Sequence, residues 1–76
     1  MNAQRRKSIS KLVEQLEELK SELETIMNEE EEAFDNLPES FQESERGETM
    51  QSCIESMEFA IGDMDSAIEY MNDTIN

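Results

Sequence analysis

The sequence has no histidine and no tryptophan, a single cysteine, a single proline, two glycines, three phenylalanines and one tyrosine. Each scarcity excludes something. Without histidine, a metal site loses its commonest nitrogen ligand and a catalytic triad loses its usual base. One cysteine cannot form an intrachain disulfide, which suits a reducing compartment. No apolar run approaches the ~20 residues of a membrane span. The basic start, Met1 to Ser10, runs into an amphipathic stretch, so it does not read as a signal peptide. With 76 residues, one small domain is the ceiling, and a core plus a deep catalytic cleft do not fit.

What is abundant is negative charge. Twenty acidic residues oppose six basic ones, a formal net charge of -14. Residues 1–20 hold five basic side chains (Arg5, Arg6, Lys7, Lys11, Lys20) against three acids, whereas residues 21–76 hold Arg46 alone against seventeen. Such a surface repels nucleic acid and anionic membrane. Its plainest role is solubility. A sharper role is to imitate a nucleic-acid backbone and occupy a basic groove on another protein. The run Glu29-Glu30-Glu31-Glu32 reads as a solvated helix face.

Two apolar ladders flank a central turn. In the first half, Ile9, Leu12, Leu16, Leu19, Leu23 and Ile26 step by three and four, an a/d heptad. In the second half, Met50, Ile54, Met57, Ile61, Met64, Ile68, Met71 and Ile75 do the same. Between them lie Asp35-Asn36-Leu37-Pro38 and the capping-box pattern Ser40-Phe41-Gln42-Glu43. Pro38 removes a backbone donor and disfavours helix at Leu37. The chain therefore reads as all-α: one helical-hairpin domain over 1–76, with helix 1 at about 3–35, a loop with a helical turn at 36–43, and helix 2 at 44–75. In an antiparallel hairpin, Ile9/Met71, Leu12/Ile68, Leu16/Met64, Leu19/Ile61, Leu23/Met57 and Ile26/Ile54 would face each other, with their centre in the turn and Ala33 opposite Gly47. These twelve residues are the expected core and dimer positions.

The apolar stripe is wider than a and d alone. Val13, Met27 and Phe34 flank the first ladder, and Cys53, Ala60 and Ala67 flank the second. A stripe that broad favours two hairpins joined as a homodimeric four-helix bundle over a lone pair. The competing picture is a marginal monomer that folds on a partner.

Catalytic and metal signatures are missing. Paired carboxylates such as Asp63 with Asp65 lack a visible pocket to shift their pKa values. Glu-rich di-metal bundles use a Glu-x-x-His motif, and no histidine exists here. Cys53 reads as a small core residue rather than a nucleophile. No cofactor, catalytic residue or metal ligand is expected. The basic start opposes the helix dipole, which the hairpin would relieve if Arg5, Arg6 and Lys7 lay beside Glu69 and Asp73.

The block Ala33-Phe34-Asp35-Asn36-Leu37-Pro38-Glu39-Ser40-Phe41-Gln42-Glu43-Ser44-Glu45-Arg46-Gly47-Glu48 resembles a family of short acidic helical proteins of bacteriophages and prophages of Gram-positive bacteria. Those carry a Phe-Asp-Asn-hydrophobic-Pro-Glu motif and then Ser-Glu-Arg between two heptad helices. The resemblance brings no assigned activity. It implies a bacterial cytoplasmic setting and, by analogy with other small acidic phage proteins, inhibition of a host or defence protein. The expectation is a non-enzymatic interaction protein, with Glu29, Glu31, Glu32, Glu55, Glu58, Asp65 and Glu69 as contact residues to a basic partner surface. The alternative is a structural or assembly coiled coil whose main partner is itself. The loop residues Leu37, Pro38, Phe41, Ser44 and Arg46 form either a fixed cap, with Arg46 paired to Glu30 or Glu31, or an exposed recognition tip.

Overall fold

The computed structural model describes residues 1–76 and is all-helical. Helix α1 spans Ala3–Asp35, α2 is a single turn over Glu39–Gln42, and α3 spans Glu45–Asp73. The molecule is a rod of 58 × 15 × 13 Å. Alpha1 and α3 pack side by side as a hairpin, joined through α2. Glu, Lys, Gln, Leu and Met, all strong helix formers, make up most of α1, whereas α3 relies on Glu, Met and Ala with Ile in its seam, and neither helix contains proline.

The ends follow from local chemistry. Asn2 caps α1, its Oδ1 accepting from Arg5 N at 2.8 Å. Pro38 ends α1 by barring helix at the residue before it, and then opens α2 as its N-cap residue. Glu45 and Glu48 sit in the first turn of α3, where the dipole favours negative charge. The capping-box reading of Ser40 does not hold, since Ser40 lies inside α2. Ser44 is the N-cap position of α3, but its hydroxyl donates back to Phe41 O at 2.5 Å instead of capping the helix.

A tight corner holds α2 against both helices. Gln42 Nε2 donates to Asp35 O at 3.5 Å and, at 3.1 Å, to Phe34 O, which also accepts from Leu37 N at 3.0 Å, tying α2 to the end of α1. Gly47 is buried beneath α2. A Cβ there would overlap the Gln42 carbonyl oxygen and come within 2.7 Å of Phe41 O. The expected pairing of Gly47 with Ala33 is thus replaced. Ala33 is exposed, and Gly47 is small because α2 crosses it.

The seam between the long helices differs from the expected a/d ladder on α1. The seam of α1 runs through Ile9, Val13, Leu16, Lys20, Leu23, Met27, Glu30 and Phe34, stepping by four and three, with the half-covered Glu24 and Glu31 on its flank. Leu12, Leu19 and Ile26 lie outside this seam and are 52, 53 and 53% exposed. In α3 the seam is the Ile/Met ladder, with Met50, Ile54, Met57, Ile61, Met64, Ile68 and Met71 all covered or half-covered. Val13, 7% exposed, and Ile68, 9%, are the best covered apolar residues, one from each helix. Leu12, Leu19 and Ile26, expected to face Ile68, Ile61 and Ile54, thus lie on the exposed flank of α1 rather than in its seam. Two helices bury only one narrow stripe each, and α1 uses its a and e positions for it.

Candidate functional site: an acidic–aromatic groove

The seam divides the rod into two opposite sides of different chemistry. On one side, Lys20 Nζ donates to Asp65 Oδ1 at 2.6 Å and lies 3.9 Å from Glu24 Oε1. The Lys20 pKa is raised above its ordinary 10.5, first by the hydrogen bond to Asp65, which desolvation opposes and the charges of Asp65, Glu24 and Glu17 reinforce. Glu17, Glu24, Glu31, Glu58 and Asp65 recur at seven-residue spacing on their helices and line this side.

Near the loop end this side opens into a groove of about 620 Å³ lined by Glu31, Phe34, Asp35, Gln51, Ile54, Glu55, Glu58 and Phe59. Four carboxylates surround three apolar side chains, and Phe59 is among the most exposed apolar residues of the molecule, at 67%. The elements that build the groove are the last two turns of α1 and residues 51–59 of α3, from its second turn to the start of its fifth. Phe34 continues the α1 seam to its end, and Phe59 stands on the far side of Glu55 and Glu58. Carboxylates beside phenyl faces suit a cationic side chain with an aliphatic stem. The charge meets Glu or Asp, and the stem and cation lie over the rings.

Of the residues expected to contact a partner, Glu31, Glu55 and Glu58 come together in this groove. Asp65 is engaged with Lys20 instead. Glu29 and Glu32 are exposed on other faces of α1, and Glu69 lies well down α3, outside the groove lining. Phe34, Asp35, Gln51, Ile54 and Phe59 join the groove without having been singled out as contact residues. Their signal in the sequence is a pair of phenylalanines among carboxylates on a chain with only three phenylalanines.

Several expected local contacts are replaced. Arg46 is exposed and forms no ion pair with Glu30 or Glu31. Arg5 and Lys7 do not pair with Glu69 or Asp73, and the Arg6 guanidinium donates to Met1 O at 2.6 Å. Leu37 is half-buried, whereas Phe41 is 51% exposed. Pro38 and Arg46 are exposed, and Ser44 is half-buried and held to Phe41. Cys53 is exposed rather than in the core, one position outside the Ile54 seam.

No group of three or more Cys, Asp or Glu side chains is arranged to hold a metal ion, and no helix is long and apolar enough to cross a membrane. The chain matches no protein-family model, no curated protein and no solved structure.

Proposed function

We propose that this protein is a non-enzymatic binding protein whose acidic–aromatic groove takes a basic segment of another protein. The observation that carries this reading is the grouping of Glu31, Asp35, Glu55 and Glu58 around Phe34 and Phe59 at the acidic end of a rigid rod. Carboxylates on packed helices need little ordering on binding, and a field of net charge -14 speeds encounter with a cationic partner. The resemblance of the central block to acidic phage proteins supports a bacterial cytoplasmic target, blocked through a surface that normally meets nucleic acid.

The test is affinity capture from a bacterial lysate at low and high salt, using wild type and the Glu55→Gln/Glu58→Gln variant. The reading requires a basic protein that is captured by wild type, released by salt and lost by the variant. Capture that ignores both salt and the groove substitutions overturns it.

A second reading, self-association into a homodimeric four-helix bundle, is favoured by a separate observation. Leu12, Leu19 and Ile26 are each more than half exposed on one side of α1. The two readings use opposite sides of the rod and are compatible.

A further inference from the structure

The side of the rod opposite Lys20 and Asp65 is apolar. Lys20, Glu24 and Glu31 share one flank of the α1 seam with Asp65 and Glu58 of α3. Leu12, Leu19 and Ile26 occupy the other flank of α1. Cys53, Ala60 and Ala67 hold the matching flank of α3, because they fall on the other side of the Ile/Met ladder from Gln51, Glu58 and Asp65. Leu12, Leu19, Ile26, Cys53 and Ala60 on this face are exposed, and Ala67 is half-covered. The accessible surface of the whole chain, 5751 Å², exceeds by nearly a fifth the roughly 4,800 Å² expected of a compact monomer of this mass.

From this placement we infer that a second copy of the chain covers the face, antiparallel to the first, with Leu19 and Ala60 next to the two-fold axis. This deepens the self-association reading and does not depend on what the acidic groove binds. Three features select a second copy as the occupant. The exposed ridge is self-matching: Leu12 and Ile26 are equally far from Leu19, and Leu19 is the midpoint of α1, Ala3–Asp35. Cys53 and Ala67 are likewise symmetric about Ala60, one residue from the midpoint of α3, Glu45–Asp73. An antiparallel partner therefore brings Leu12 to Ile26, Leu19 to Leu19, and Ala60 to Ala60 across a two-fold axis. The face is also central, since Leu12 to Ile26 span about 21 Å of the 58 Å rod, so an antiparallel partner covers it whole.

Charge sets the orientation. Residues 21–59, the loop half of the hairpin, carry thirteen acids and one base, whereas residues 1–20 and 60–76 together carry seven acids and five bases. Stacking two loop halves would concentrate repulsion at one end. The antiparallel arrangement sends the loop halves to opposite ends and lays each beside the nearly balanced half of its partner. It also leaves one acidic–aromatic groove open at either end of the bundle.

The test combines mass with cross-linking. Sedimentation equilibrium of the wild-type chain should give twice the 8.8 kDa chain mass. In a Cys53→Ser background, Leu19→Cys and Ala60→Cys should each form a disulfide-linked dimer with oxidised glutathione, while a mixture of the two variants gives only the two like-with-like products. Circular dichroism checks that each variant keeps its helix content. A wild-type mass of 8.8 kDa at all concentrations overturns the inference together with self-association. A double mass with Leu19→Cys linking to Ala60→Cys in the mixture, and neither to itself, overturns the antiparallel arrangement while leaving self-association standing.

Discussion

Lys20 Nζ lies 2.6 Å from Asp65 Oδ1, and this is the one ion pair that joins α1 to α3. It sits on the hairpin seam at a position where its neighbours a turn away are Leu16 and Leu23. The lysine stem continues the apolar stripe, with only 26% of its side chain exposed, and the ammonium emerges on the acidic side.

The pair makes stability depend on alkaline pH. The folded state raises the Lys20 pKa above 10.5, chiefly through the Asp65 hydrogen bond. Its contribution is therefore complete below the unfolded value and disappears as pH rises through the raised folded value. Asp65→Asn should lower the melting temperature by a constant amount from about pH 6 to 9, with the difference closing above the ordinary lysine pKa of about 10.4. Melting curves recorded by circular dichroism against pH check this. A gap that persists unchanged at the highest pH contradicts it.

The two glycines should respond in opposite ways to alanine. Gly47→Ala pushes a methyl group into the Gln42 carbonyl, which is backbone and cannot swing aside. A loss of about 1–3 kcal/mol is expected in urea unfolding, as for other overpacked sites. A Cβ at Gly62 meets nothing within 4 Å, so Gly62→Ala should stabilise by about 0.5–1 kcal/mol through helix propensity. Equal effects of the two substitutions would show that α2 does not pack on α3 in this way.

Leu16→Asp removes an apolar side chain from the seam between Val13 and Lys20 and adds a carboxylate beside an ammonium already engaged by Asp65 and Glu24. A loss of about 3 kcal/mol or more, seen as collapse of the helical circular-dichroism signal at 25 °C, is expected. Retained helix at that temperature contradicts the seam position of Leu16.

Salt should stabilise the folded chain. Thirteen acids crowd the loop half with Arg46 as their only cation. Screening shortens from about 30 Å at 0.01 M to about 10 Å at 0.1 M, and the melting temperature should climb over that interval. A flat or falling curve would mean that the carboxylates do not repel one another appreciably in the folded state.

The course of the helices was open in the sequence. Alpha1, Ala3–Asp35, and α3, Glu45–Asp73, end within two residues of the bounds that Pro38 and the ladders imply. The face that α1 turns to its neighbour was not. Alpha1 carries two interleaved ladders that share Ile9, Leu16 and Leu23. One adds Leu12, Leu19 and Ile26, and the other adds Val13, Lys20, Met27 and Phe34. Counting hydrophobicity selects the first, because Lys20 breaks the second. The fold selects the second, because Lys20 buries its stem and finds Asp65. Alpha3 offered no such choice, since Lys and Arg are absent from its seam and one Ile/Met ladder stands alone. The groove was half legible: the carboxylates Glu31, Glu55 and Glu58 were read from charge, but Phe34 and Phe59 come together with them only through α1–α3 packing.

The most direct test of the two-sided account is an NMR titration of the isotopically labelled protein with a short arginine-rich peptide. The account predicts shifts confined to Glu31, Phe34, Asp35, Glu55, Glu58 and Phe59, with the methyl signals of Leu12, Leu19 and Ile26 unmoved. Shifts centred on those methyl groups, or spread evenly over every acidic residue, would contradict it.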